Sequence, residues 1–213
     1  TSPATSLHSL QLPTFAAMQQ QPGWLTDALS NLNIKALNPM QEAALEATAT
    51  HKGLILFSAT GSGKTLAFLL PLVEQLRQNP TATTAIIIVP SRELAIQIET
   101  VFKNLQLNLK VTCCYGGHKR EIEENNLIQA PALLIGTPGR LADHIRRENI
   151  QTATIKTLVL DEFDKSLELG FQEEMSFIIG SLPNIEQRIL TSATQMDEIP
   201  SFVGLQQPVT IDF

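Results

Sequence analysis

The chain has 213 residues, 43% of them hydrophobic and 17% charged, which suits one sizeable core or two small ones and excludes a disordered chain. No fixed repeat runs through it, so collagen, mucin and coiled-coil architectures are out, and its longest apolar runs, about six residues, fall far short of the ~20 that span a bilayer. The net charge of −6 and pI near 5.2 argue against a simple basic grip on nucleic acid.

Residues 1–23 are rich in Gln, Ser, Thr and Pro, and the first charged side chain is Asp27. An extended leader is expected there, with one folded domain over 24–213. Leu25, Ala28, Leu29 and Leu32 recur at helical spacing, and a second helix is expected from Pro39 to about Ala49. An alternation then begins. Short apolar runs at Leu54–Phe57, Ala85–Val89, Val111–Tyr115, Leu133–Ile135, Leu158–Leu160, Arg188–Leu190 and Val209–Ile211 read as strands. Amphipathic helices are expected between them, at about 64–78, 91–105, 118–128, 138–147, 164–180 and 196–203. Such a pattern predicts an α/β fold whose mostly parallel sheet carries helices on both faces. Ligands on such sheets sit at the carboxyl ends of the strands, so the residues just after each strand are the ones to read for chemistry. The two cysteines, Cys113 and Cys114, are neighbours that point to opposite faces of a strand. They offer neither a disulfide framework nor zinc spacing. With no visible signal peptide, a reducing, cytoplasmic location is expected.

After the first strand comes Ser58-Ala59-Thr60-Gly61-Ser62-Gly63-Lys64-Thr65. A glycine-rich turn between strand and helix, ending in Lys-Thr, is a P-loop in its required context. Gly61 and Gly63 permit a tight turn whose N–H groups bind phosphate oxygens, and the helix start adds its positive dipole end. Lys64 can reach β- and γ-phosphates, and the Thr65 hydroxyl can bind Mg²⁺. Ser58 stands where Gly or Ala is usual, a small change. At the end of the fifth strand lies Asp161-Glu162-Phe163-Asp164. Asp161 is placed to hold Mg²⁺, partly through water, and Glu162 to orient and deprotonate the attacking water.

These elements, with four others, resemble the first RecA-like domain of a DEAD-box ATP-dependent RNA helicase, over nearly the whole chain from Trp24. The family's acidic motif appears as Asp161 to Asp164, with Phe163 where Ala is usual. Its Pro-Thr-Arg-Glu-Leu-Ala element matches Pro90-Ser91-Arg92-Glu93-Leu94-Ala95. A Gly-Gly pair matches Gly116-Gly117, Thr-Pro-Gly-Arg appears unchanged at Thr137-Pro138-Gly139-Arg140, and Ser-Ala-Thr at Ser192-Ala193-Thr194. The resemblance implies that Pro90, Ser91, Arg92, Gly116, Gly117, Thr137, Pro138, Gly139 and Arg140 face the sugar-phosphate track of single-stranded or locally duplex RNA. Contacts of that kind carry little base specificity. It implies that Asp164, Ser192 and Thr194 couple the nucleotide and RNA sites. It also assigns Gln41 to adenine, Thr60 to Leu66 (Thr60, Gly61, Ser62, Gly63, Lys64, Thr65, Leu66) to ATP, and Lys64, Asp161 and Glu162 to catalysis with Mg²⁺.

Two positions depart from the family near the base: Ile34 stands where an aromatic usually stacks on adenine, and Leu37 where Pro is usual. Ile34 can pack on a base face without π-stacking. Phe15 is a candidate substitute, with a packing role against the first helix as its alternative. The family's second RecA-like domain, which supplies arginine fingers, has no room here, because the chain ends some 19 residues after Thr194. A fragment or isolated domain is therefore expected, monomeric, with weak binding and very slow hydrolysis until joined to its second domain. A turnover-deficient RNA-binding clamp is the alternative reading, against which the intact Lys64, Thr65, Asp161 and Glu162 argue. A DNA translocase of the same superfamily is disfavoured by Gln41 with Asp164. The acidity is local: Asp161 to Glu174 holds six acids and one base, while His118 to Glu148 holds five of each.

Overall fold

A computed structural model of the chain describes residues 22–59, 61–117, 119–196 and 198–213. The seven apolar runs pair as one sheet of β1 (Gly53–Phe57), β2 (Ala85–Ile88), β3 (Val111–Cys114), β4 (Leu133–Gly136), β5 (Thr157–Leu160), β6 (Gln187–Ser192) and β7 (Val209–Asp212). Their spatial order is β3-β4-β2-β5-β6-β1-β7, and every pairing is parallel. All strand carboxyl ends therefore lie along one edge.

The strand residues are apolar on both sides because helices cover both faces. Leu54, Leu56, Ile87, Leu133 and Ile189 face one core layer with α1 (Gly23–Asn31), α2 (Pro39–Thr50), α3 (Lys64–Gln78) and α4 (Arg92–Asn104). Their sequence neighbours Ile55, Ile86, Ile88, Leu134 and Leu190 face a second layer with α5 (Arg120–Ile128), α6 (Pro138–Arg146), α7 (Phe163–Glu168) and α8 (Gln172–Gly180). Each such side chain removed from water contributes about 1.5–3 kcal/mol, so this two-sided layering is the main term holding the sheet edge in place. Cys114 is buried in the second layer and Cys113 packs against the first, both as free thiols. Burial pushes both well above the usual thiol range.

Two expectations are corrected. The helix expected over 164–180 is two, α7 and α8. Gly170 between them has φ 81, a left-handed conformation that ends a helix and suits glycine. The helix expected over 196–203 is a single 3-10 turn at Ser201–Val203. Pro200, extended at φ −53 and ψ 138, precedes it, and a proline both lacks a donor and bars its predecessor from helix. The leader through Gln21, including Phe15, and also Thr60, lie outside the described residues. No helix of the described residues is long and apolar enough to cross a membrane.

Candidate functional site

The order of strands sorts the candidate residues along the edge. The P-loop follows β1, the Ser192–Thr194 element ends β6, and the acidic motif follows β5; these three strands are adjacent. Pro90–Arg92, Thr137–Arg140 and Gly116-Gly117 follow β2, β4 and β3, the next three strands. With neighbours about 4.8 Å apart, the β1-to-β3 edge spans roughly 24 Å.

The P-loop is tied to its neighbours on both sides. Phe57 pairs with Ser192 in the ladder, and the Ser58 N–H continues it by donating to the Ser192 carbonyl at 3.2 Å. Lys64, buried at the start of α3, donates from Nζ to the Ser58 carbonyl at 2.8 Å. Gly61 and Gly63 have φ 84 and 93, which is the turn glycine permits. Thr65 is half-buried and Leu66 is buried in the first core layer. The hydroxyls of Ser58 and Ser62 are buried with no protein partner.

α2 is fastened to this loop. Asn38 caps it, accepting the Gln41 N–H at 2.9 Å, while Gln41 Oε1 accepts the Asn38 N–H at 3.0 Å, a reciprocal capping box. Asn38 Nδ2 donates to the Ser62 carbonyl at 3.0 Å, and Gln41 Nε2 donates to the Gly63 carbonyl at 3.2 Å. Gln41 is 5% exposed. A Cβ at Gly63 would sit 2.7 Å from Gln41 Nε2. Gln41 thus spends one donor and one acceptor position on the fold and keeps one of each. Ile34 is half-buried against the first core layer.

The register pairing Leu160 with Leu190 sets Asp161 beside Thr191. The Thr191 hydroxyl donates to Asp161 Oδ1 and accepts the Glu162 N–H at 3.1 Å. Asp161 is buried, and that burial pushes its carboxyl up to about 6, against the pull of the Thr191 hydrogen bond and of Lys64. Three residues on, Asp164 Oδ2 accepts the Thr194 hydroxyl at 3.0 Å, while Asp164 Oδ1 is buried without a partner. The Ser192 hydroxyl donates to the Thr194 carbonyl at 2.5 Å and accepts the Thr194 N–H at 3.2 Å. The half-buried Glu162 occupies the left-handed region, at φ 49 and ψ 51, a strained conformation for a non-glycine residue. Phe163 turns away from this edge into the second core layer, its ring 6.4 Å from that of Phe202.

On the other three strands, Pro90 is buried and Ser91 caps α4, accepting the Leu94 N–H at 3.2 Å. Arg92 is exposed, with its guanidinium 5.3 Å from the Tyr115 ring centre. Gly116, Gly117 and Gly139 are exposed. The Thr137 N–H is fixed to the Cys114 carbonyl at 3.0 Å, and Pro138 is the buried first residue of α6. Arg140 donates to Glu123 Oε2 at 3.1 Å.

Thr191, Asn38 and Glu123 were missed in the sequence. The Asn-Pro-x-Gln spacing is a capping signature that would have found Asn38. A hydroxyl inside the run Ile189-Leu190-Thr191-Ser192 was the signal for Thr191. A groove of about 750 Å³, touching Thr48, Gln75, Thr84 and Gln187, lies at the opposite end of the strands and contains none of these residues.

A sequence model described as DEAD/DEAH box helicase matches residues 38–202. Among similar curated proteins, a probable ATP-dependent RNA helicase ddx27 of Dictyostelium discoideum is 36% identical over 94% of this chain and 27% of its own length. ATP-dependent RNA helicase CshA of Limosilactobacillus reuteri is 39% identical over 85% of the chain and 37% of its own. The chain thus spans about a quarter to a third of such relatives. Among solved structures, a DEAD box protein from Methanococcus jannaschii superposes with a TM-score of 0.83 at 28% identity, covering 91% of this chain and 54% of that one. The yeast DEAD-box splicing factor Prp28 gives a TM-score of 0.80 at 26% identity, covering 88% and 48%.

Proposed function

We propose, because this chain belongs to the DEAD/DEAH box helicase family, that it is the nucleotide- and RNA-binding first RecA-like core domain of an ATP-dependent RNA helicase. The observation that carries the reading is the order of strands along this edge: the P-loop, the Ser192–Thr194 element and the acidic motif follow the adjacent strands β1, β6 and β5, and the three elements read as gripping the RNA backbone follow β2, β4 and β3. The whole protein would join this domain to a second RecA-like domain outside the chain, close the pair on ATP and RNA, and separate a short duplex locally by bending one strand. It would work in the cytoplasm, with this domain by itself monomeric and nearly inactive.

The residues present suit ATP and Mg²⁺. Two buried serine hydroxyls without protein partners, Ser58 and Ser62, line the P-loop. The Lys64 ammonium is held at the loop with two further N–H donors. Thr65 and Asp161 would hold the metal, Asp161 partly through water; when bound, Mg²⁺ neutralises charge on the phosphates. Gly61 to Leu66, with Thr60, would hold the phosphates, and Gln41 would offer its remaining N–H and lone pair to adenine beside Ile34. Glu162 would accept a proton from the attacking water, its main chain fixed by Thr191. Asp164, Ser192 and Thr194, hydrogen-bonded together, would couple the two halves of the edge. Pro90, Ser91, Arg92, Gly116, Gly117, Thr137, Pro138, Gly139 and Arg140 would take sugar-phosphate oxygens through N–H, hydroxyl and guanidinium donors.

The test is ATP hydrolysis by the full-length protein with and without RNA. Stimulation by RNA is expected, and its absence sinks the helicase reading. Glu162→Gln should retain ATP binding and lose hydrolysis; full activity in that variant removes Glu162 as the base.

A further inference from the structure

One buried carboxylate gathers the ends of two neighbouring strands at one side of the sheet, β3 and β4. Glu123, on the first turn of α5, is 1% exposed. Its Oε1 accepts the backbone N–H of Tyr115, the residue immediately before Gly116-Gly117, at 2.9 Å. Its Oε2 accepts Arg140 NH1 at 3.1 Å and pairs with His144 Nε2 at 2.6 Å. His144 is fully buried on α6, and its Nδ1 lies 3.0 Å from Asn149 Nδ2. An amide NH₂ can only donate, so Nδ1 accepts, Nε2 carries the proton, and His144 donates to Glu123. Cys114 Sγ also lies within 4.8 Å of this pair, a spacing that could hold a cation. The guanidinium and the imidazole N–H converging on one carboxylate oxygen instead make it a hydrogen-bond hub.

We propose that Glu123 is a positioning residue for RNA: it locks the Gly116-Gly117 turn and the Thr137–Arg140 turn into one cradle and orients the Arg140 guanidinium toward a backbone phosphate. The assignment rests on the reading of Arg140 as an RNA contact. Arg140 has many rotamers, and holding its fork in one of them removes an ordering cost at the moment a phosphate binds. The Arg140 side chain is 16% exposed against 1% for Glu123, so part of it reaches solvent while its NH1 is tied to the buried carboxylate. Glu123 itself makes no RNA contact.

The experiment measures RNA-stimulated ATP hydrolysis by the full-length protein with single-stranded oligouridylate, for Glu123→Ala, Glu123→Gln, Arg140→Ala and the Glu123→Ala/Arg140→Ala double variant. Each Glu123 variant should raise the KM for RNA about tenfold. The kcat and the KM for ATP should stay within about twofold, a split that general unfolding would not give. The double variant should lose less than the sum of the two single losses, because part of the Glu123 effect passes through the Arg140 side chain. Should Glu123→Ala fail to fold, Glu123→Gln decides, since its amide oxygen can still accept from Tyr115. Additive losses, or Glu123 variants with an unchanged KM for RNA while Arg140→Ala raises it, overturn the proposal alone. An Arg140→Ala variant with unchanged KM for RNA overturns the RNA reading of this junction together with it.

Discussion

Replacing Asp161 with Asn should make the domain more stable while removing a ligand of the proposed metal site. Asp161 is buried and its carboxyl titrates near 6, against a usual value of 3.8. The folded state therefore holds a proton that the unfolded chain releases, and stability is lost as pH rises from about 4 to about 6. A shift of about 2 units corresponds to roughly 3 kcal/mol of penalty at pH 7. The attraction of Lys64 and the Thr191 hydrogen bond already oppose burial within that shift, so they need no second subtraction. The amide mimics the protonated acid: neutral, similar in size, and able to accept from the Thr191 hydroxyl. Urea unfolding of the 213-residue chain with a chelator present, at pH 4 through 8, measures the difference. The two proteins should be nearly equal at pH 4, and Asp161→Asn more stable by about 3 kcal/mol at pH 7 with the m-value unchanged. All other titrations are common to both and cancel. A gap that is flat with pH, or that shrinks toward pH 7, refutes the reasoning.

Two further outcomes follow from packing and backbone geometry. Phe163→Ala removes a fully buried ring beside Phe202 and should cost about 3–5 kcal/mol in a urea titration; a cost under about 1 kcal/mol would mean the site collapses or the ring is not packed there. Gly63→Ala places a Cβ 2.7 Å from Gln41 Nε2 at φ 93, breaking the Gln41–Gly63 contact and adding roughly 1–2 kcal/mol of left-handed strain. Titration with a fluorescent ATP analogue should show nucleotide affinity down tenfold or more, and a change within twofold counts against the tie between α2 and the P-loop.

The seven strands and most helices were legible because each is a run of one periodicity bounded by its own caps. The helix breaks were less so: Gly170 sits inside an amphipathic pattern, and only its positive φ turns it from a tolerated residue into a stop. Phe163 is the clearest case of a departure with a packing cause, since its ring fills the second core layer while Asp161, Glu162 and Asp164 stay at the edge. The strand order was not legible at all. Pairings such as Gly53 with Arg188 join distant segments, and nothing local in either encodes its neighbour. For the same reason Thr191 was passed over for Ser192 and Thr194: its role depends on which strand lies beside β6.

Charge shows the same division between local and non-local information. Counting residues from His118 to Glu148 gives a neutral segment, but a neutral sum describes either a bland surface or a paired one. Here the charges pair: Arg140 with Glu123, and Arg120 and Arg147 with Asp143. Those two arginines, through their hydrogen bonds and charge, hold the Asp143 carboxyl below its usual range. The edge proposed for RNA would thus present few uncompensated cations and many fixed donors: helix-start N–H groups, exposed glycine turns and one restrained guanidinium. Such a surface recognises a phosphate by geometry more than by long-range field. That is how a chain of net charge −6 can be suited to a nucleic-acid backbone, and why a carboxylate, Glu123, can serve that purpose rather than oppose it.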